Sequence, residues 1–232
     1  ITFQKNHRKQ IWQFGMASLN PRWNVSGTYM QVLPSFISTG QDGNDEKEFL
    51  LDYFNELPDL LSMVFLKGYQ WPFDVNKIFG GSSVIDLLVY QETVLKKRRV
   101  FLDYRVNPGN LEKDRDLPYA SMIPEAKEYL SQAGACFGTP IERLKHMNEP
   151  AILFYQDHHV DLFKERLEIA VCAQHNNGGL STNHLWETNL SGLYAIGEVC
   201  ASHGVTRPGG TALNAGQVGA VRAAEGIFLK KR

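Results

Sequence analysis

An α/β fold is predicted for this chain of 232 residues, and three features predict it. The first is a change of character along the chain. Residues 1–170 carry ordinary charge and many aromatics, whereas residues 171–221 hold only three charged side chains, Glu187, Glu198 and Arg207. Of the 20 glycines, 10 fall in residues 178–226. A tract that sheds charge and gains glycine is a buried one, with backbone packed closely against a neighbour. The second feature is helix punctuation through residues 46–142. The third is the apolar run Gly192–Val199, which ends in Gly-Glu and reads as a buried parallel strand. Two domains follow: 1–170, mostly helical with short strands, and 171–232, part of a different layer.

The elements are justified in order. Val25–Leu33 has the β-branched and aromatic content of a strand, and Thr39–Asn44 is a turn. Glu46–Phe54 places Phe49, Leu50, Tyr53 and Phe54 on one helical face, and Pro58 opens a second helix, Asp59–Leu66. Ser82-Ser83 offers an N-cap for Val84–Leu95. Lys96–Arg99 then falls at that helix's negative end and is expected to face water. Val100–Tyr104 is a short strand. Ile123–Ala133 starts with Pro124 and stops at Gly134, and Thr139-Pro140-Ile141-Glu142 has the spacing of a capping box. Ala151–Tyr155 reads as a strand. His158-His159 near Asp157 and Asp161 reads as a polar surface loop, since nothing in the spacing gathers the three or four ligands of a metal site.

Composition excludes several classes. With 24 Lys+Arg against 25 Asp+Glu there is no basic field for nucleic acid. No stretch of 18 apolar residues exists to span a membrane. Three cysteines, Cys136, Cys172 and Cys200, are too few for a disulfide scaffold, and reduced thiols in a cytoplasm are expected. The chain begins at Ile1, so it is read as processed or as a piece of something longer.

The chemistry is concentrated in the last sixty residues. Ligands of open α/β sheets bind outside the carboxyl ends of the strands, where Glu198 would hold a cofactor hydroxyl. A carboxylate paired with a nearby arginine accounts for Glu198 equally well. In the loop Ser202–Leu213, Gly209-Gly210 lets backbone approach a flat or phosphorylated ligand, and Thr211 caps a helix running towards Leu229. The positive N-terminus of that helix suits an anion, including the charge that builds on a reduced flavin. His175, Glu198, His203 and Arg207 are isolated polar groups in a charge-poor tract, and such groups need a partner or a ligand.

Three motifs carry a resemblance. His175-Asn176-Asn177-Gly178-Gly179-Leu180-Ser181-Thr182 is followed by Gly192–Glu198, then by His203-Gly204-Val205-Thr206-Arg207-Pro208-Gly209-Gly210-Thr211-Ala212-Leu213. In this order and spacing they resemble the C-terminal part of the FAD-dependent flavoproteins of the fumarate reductase/succinate dehydrogenase family. Ser82–Glu92 with Arg99–Asp103 is more loosely similar to the helix and strand of that family's capping domain. The resemblance implies an α+β capping domain over residues 1–170 and the C-terminal segment of a Rossmann-like FAD-binding domain over 171–232.

It also implies roles. Glu198 holds FAD, with Gly209, Gly210, Thr211, Ala212 and Leu213 lying along the cofactor. His175 and Arg207, with His203 beside them, form the catalytic set and bind a substrate carboxylate. The reaction is hydride exchange between flavin and a small substrate. Ser82-Ser83 stand where the family carries an Arg-Asp pair whose arginine supplies a proton, and serine does not replace a cationic donor. The implied substrate is therefore a small carboxylate-bearing molecule, not clearly fumarate or succinate. No Gly-x-Gly-x-x-Gly turn for the FAD pyrophosphate exists in the chain. The expected partner is thus a missing N-terminal FAD-binding half or a second chain, and self-association into a homo-oligomer is expected of the apolar tail. A non-catalytic interaction or regulatory module that keeps the packing pattern is the alternative.

Overall fold

The computed structural model describes residues 3–5, 13–111, 117–175, 178–202 and 211–230. Its strands are β1 (Phe3–Lys5), β2 (Gln13–Ser18), β3 (Ser35–Thr39), β4 (Arg99–Asp103), β5 (Leu167–His175) and β6 (Gly178–Leu180). Its helices are α1 (Thr28–Gln31), α2 (Leu57–Lys67), α3 (Ser83–Tyr90), α4 (Pro124–Gln132), α5 (Pro140–Asp157) and α6 (Thr211–Lys230). Two compact units result: Gly15–Cys172, and Ile1–Phe14 together with Ala173–Arg232.

The larger unit combines helices with a four-stranded sheet of order β2-β5-β4-β3. The β3–β4 and β4–β5 pairs are antiparallel, with Phe36 opposite Leu102 and Val100 opposite Ile169. All four of these side chains are buried. Alternation sends their neighbours to the other face, where the Arg99 guanidinium lies 4.9 Å from the Phe101 ring centroid and pairs with Glu168 at 2.7 Å. The core takes Leu61, Val64 and Phe65 from α2, Val89 from α3, Leu130 from α4 and Leu144 from α5. Pro58 stands in the first turn of α2 and Pro124 opens α4, where a missing N–H costs nothing. At the start of α5, the Glu142 carboxylate accepts from both the N–H and the hydroxyl of Thr139, each at 2.9 Å.

Several expectations are corrected. Val25–Leu33 contains the short helix α1 rather than a strand, and Tyr29, Met30 and Gln31 are buried there. Within Glu46–Phe54 only the single turn Phe49–Asp52 is helical. Ala151–Tyr155 is the second half of α5, which leaves helical geometry at Asn148 (φ −160°, ψ 67°) just before Pro150. The Ser82 side chain does not cap α3. It donates to Gln70 Oε1 at 3.1 Å instead. Three of the four cations in Lys96–Arg99 are engaged: Lys96 with Glu92, Arg98 with Glu92 and Asp45, and Arg99 with Glu168.

Charge is also buried in this unit. Lys67 and Asp86 form an ion pair with both side chains fully enclosed, and burial lowers the lysine while raising Asp86 to about 6. Among the described residues Asp86 Oδ1 has no hydrogen-bond partner. Burial raises Glu48 to about 7, against the Gly109 N–H that reaches both its oxygens at 3.0 Å. Arg143 is wholly buried with no carboxylate in its hydrogen bonds. Its guanidinium donates to Val32 O, Phe137 O, Gly138 O and Asn107 Oδ1, and desolvation lowers it to about 10.

Candidate functional site

The smaller unit is built on close backbone crossings. β1 pairs antiparallel with β6, Gln4 standing opposite Gly179. Gly179 also bridges to Cys200, and a Cβ at residue 179 would lie 2.2 Å from Val199 O. Only a glycine permits that approach. The Gly178-Gly179 pair is thus strand.

Gly192–Val199 is not a parallel strand. Local bonds fold it: Thr188 N–H donates to Leu193 O, Leu193 N–H to Leu190 O, and Ala195 N–H to Trp186 O. The run ends in a single tight turn, Gly197–Val199, which Gly197 enters at φ 75°. The Gly197 carbonyl accepts from the Cys200 N–H at 3.2 Å, and from Cys200 Sγ and Ser202 Oγ at 2.8 Å each. That knot fixes the half-buried Glu198. A Cβ at Gly197 would sit 3.9 Å from Gly216 Cα, so this turn lies against the second turn of α6.

α6 turns a small-residue stripe inward. Gly219, Ala223 and Gly226 are its buried residues. The Trp186 ring lies where a Cβ of Gly219 would be, at 2.9 Å, and Leu185 Cβ is 3.1 Å from the same point on Gly226. Asn183 organises the facing turn by accepting from the N–H groups of Leu185 and Glu187. Glu187 in turn accepts from the Gly192 N–H at 2.8 Å and pairs with Lys230, which holds its carboxyl below the usual range. Sequence reasoning missed this pair, because 43 positions separate its members.

Of the residues expected at the site, Glu198, Thr211, Ala212 and Leu213 are described. Thr211 and Ala212 are half-buried in the first turn of α6, and Leu213 is 76% exposed. His175 ends β5. His203, Arg207, Gly209 and Gly210 lie outside the described residues. Among the described residues no cluster of metal-ligating side chains occurs, and no helix is long and apolar enough to cross a membrane.

The FAD binding domain family matches residues 112–213. Two relatives align with part of the chain. One is a subunit of the fumarate reductase (CoM/CoB) of Methanothermobacter marburgensis, 39% identical over 85 residues, which is 36% of this chain and 16% of the relative. The other is an uncharacterized FAD-dependent oxidoreductase of Methanocaldococcus jannaschii, 45% identical over 60 residues, 25% of this chain and 11% of the relative. The matched segment is similar to FAD-dependent flavoproteins, one of them named a fumarate reductase subunit. Its cofactor is FAD. The alignments span less than a fifth of either relative's length.

The described residues suit that cofactor. A carboxylate fixed on a glycine-entered turn accepts from hydroxyls such as those of a ribose. The N-terminal end of a 20-residue helix presents partial positive charge to electron-rich atoms.

Proposed function

We propose that this chain is part of an FAD-dependent oxidoreductase that exchanges hydride between flavin and a small, carboxylate-bearing substrate. In this reading the Gly15–Cys172 unit is the capping domain, and the unit of residues 173–232 with residues 1–14 is part of a Rossmann-like FAD-binding domain. One observation carries it most: Glu198 stands on a turn locked by Gly197, against α6, inside the segment matched by the FAD binding domain family.

Each residue has a distinct task. Glu198 accepts hydrogen bonds from cofactor hydroxyls. Gly209 and Gly210 admit the cofactor edge. The backbone of Thr211, Ala212 and Leu213 lies against the flavin and stabilises negative charge there. Arg207 grips the substrate carboxylate with its planar fork, and His175 and His203 complete the polar wall that orients it. FAD, when bound, supplies the hydride chemistry, while the protein supplies orientation and electrostatics. The pyrophosphate turn comes from residues other than these 232, either upstream or on a second chain.

The test uses flavin absorbance. Glu198→Ala is expected to weaken FAD retention by roughly tenfold or more, the scale of one lost charge-assisted hydrogen bond. Arg207→Ala is expected to keep FAD and lose substrate-dependent bleaching. A protein that stays colourless with excess FAD and its completing residues present would overturn the reading.

A further inference from the structure

The Lys67–Asp86 pair has more hydrogen-bonding capacity than its two members use. Lys67 closes α2, and Asp86 stands in the first turn of α3. Neither side chain has any exposed surface. The pair is therefore closed to partners from outside the Gly15–Cys172 unit, and whatever meets its polar atoms lies inside. An ammonium has three N–H donors, and each carboxylate oxygen accepts. Among the described residues a single hydrogen bond joins them, from Lys67 Nζ to Asp86 Oδ2. Two N–H groups of Lys67 are left over, and so is Asp86 Oδ1. The Asp86 backbone N–H gives the carboxylate only the least of its stabilising contacts.

The neighbouring side chains on α3 are polar too. Ser82 and Ser83 are both fully buried. Ser82 is committed, since its N–H and its hydroxyl both donate to Gln70 Oε1. Ser83 Oγ accepts from the Asp74 N–H at 3.0 Å, and its own hydrogen has no acceptor among the described residues. Ser83 stands three residues before Asp86, so the two share one side of α3 with Cβ atoms about 5–6 Å apart. One small molecule bridges such a gap. The loose ends decide which kind. Three spare donors beside one spare acceptor call for a molecule that both accepts and donates. An anion would leave Oδ1 unmet, and a cation would face the ammonium. Water does both, and a buried water typically makes about three hydrogen bonds to groups of this kind. Burial opposes both charges of the pair, lowering Lys67 and raising Asp86, and added hydrogen bonds offset that penalty.

We propose that one water molecule is built in between α2 and α3, accepting from Lys67 Nζ, donating to Asp86 Oδ1 and reaching Ser83 Oγ. The inference owes nothing to flavin binding and fails separately from it. A crystal structure of the full chain that orders solvent is expected to place a water oxygen within about 3 Å of both Lys67 Nζ and Asp86 Oδ1. Oxygen-17 relaxation dispersion counts long-lived internal waters in solution. By that count K67M/D86L, which fills the site without polar atoms, should hold one water fewer than the unaltered chain, and circular dichroism checks that it has folded. If the variant does not fold, the crystal structure decides alone. A carboxylate turned to meet Lys67 through both oxygens, a Ser83 hydroxyl bonded directly to Asp86 at a dry site, an ion in place of the water, or an unchanged water count in the folded variant would each overturn the proposal.

Discussion

Glu48 titrates near neutral pH because burial outweighs the compensation from the Gly109 N–H, with Asp103 adding repulsion. Its folded value, about 7, lies above the ordinary 4.5, so between these values the folded chain holds a proton that the unfolded chain releases. Stability from this group therefore rises as pH falls from above 7 towards 4.5. Glu48→Gln is expected to stabilise the protein by roughly 2 kcal/mol at pH 8 and by almost nothing at pH 4.5, read as the urea midpoint across pH. The Lys67–Asp86 pair obeys a different arithmetic. Removing one member leaves a lone buried charge and should cost roughly 3–5 kcal/mol, whereas K67M/D86L together should be near neutral. A double-mutant cycle by chemical denaturation checks both. At this scale the sequence revealed residue types more readily than partners. Glu198 stood out as a carboxylate in an apolar run, but Lys67 and Asp86, 19 residues apart, sit in unremarkable helical positions until α2 and α3 meet.

Elements with chemical punctuation were legible. Pro58, Pro124 and the Thr139–Glu142 box begin α2, α4 and α5, because a fixed φ or a reciprocal cap acts locally. Runs whose period is too short to discriminate were not. Ala151–Tyr155 continues a helix past the Asn148 break, and Val25–Leu33 takes a helical turn because burial of Tyr29 and Met30 overrides strand propensity. Gly192–Val199 has the apolarity of a buried strand, but its turns satisfy their own backbone. The crossing of β6 over Val199–Ala201 makes a sharp element-scale prediction. Gly179→Ala places a methyl where Val199 O sits, so the crossing must open at a cost of roughly 1–3 kcal/mol. The Gly197 turn should then exchange amide hydrogens faster, and the protein should lose FAD, with the Gly15–Cys172 unit unchanged.

At the scale of the whole molecule, the similarity to FAD-binding proteins was readable because its motifs are runs of contiguous residues at fixed spacing. The assignment of residues 1–14 to the unit of the tail was not, because β1 joins β6 across more than 170 positions and carries no pattern that names its partner. Arg143 is a second long-range tie. Lysine in its place has one nitrogen where the guanidinium uses three, so Arg143→Lys should cost roughly 2–4 kcal/mol by urea unfolding. That guanidinium also couples three separate stretches of the chain. Its acceptors come from residue 32, residue 107 and residues 137–138, so α5 buries a fully hydrogen-bonded cation only with all three stretches packed against it. Cutting the chain between any two of those stretches leaves a fragment that has to hydrate Arg143 rather than bury it, and nascent or proteolysed pieces betray themselves by failing to close.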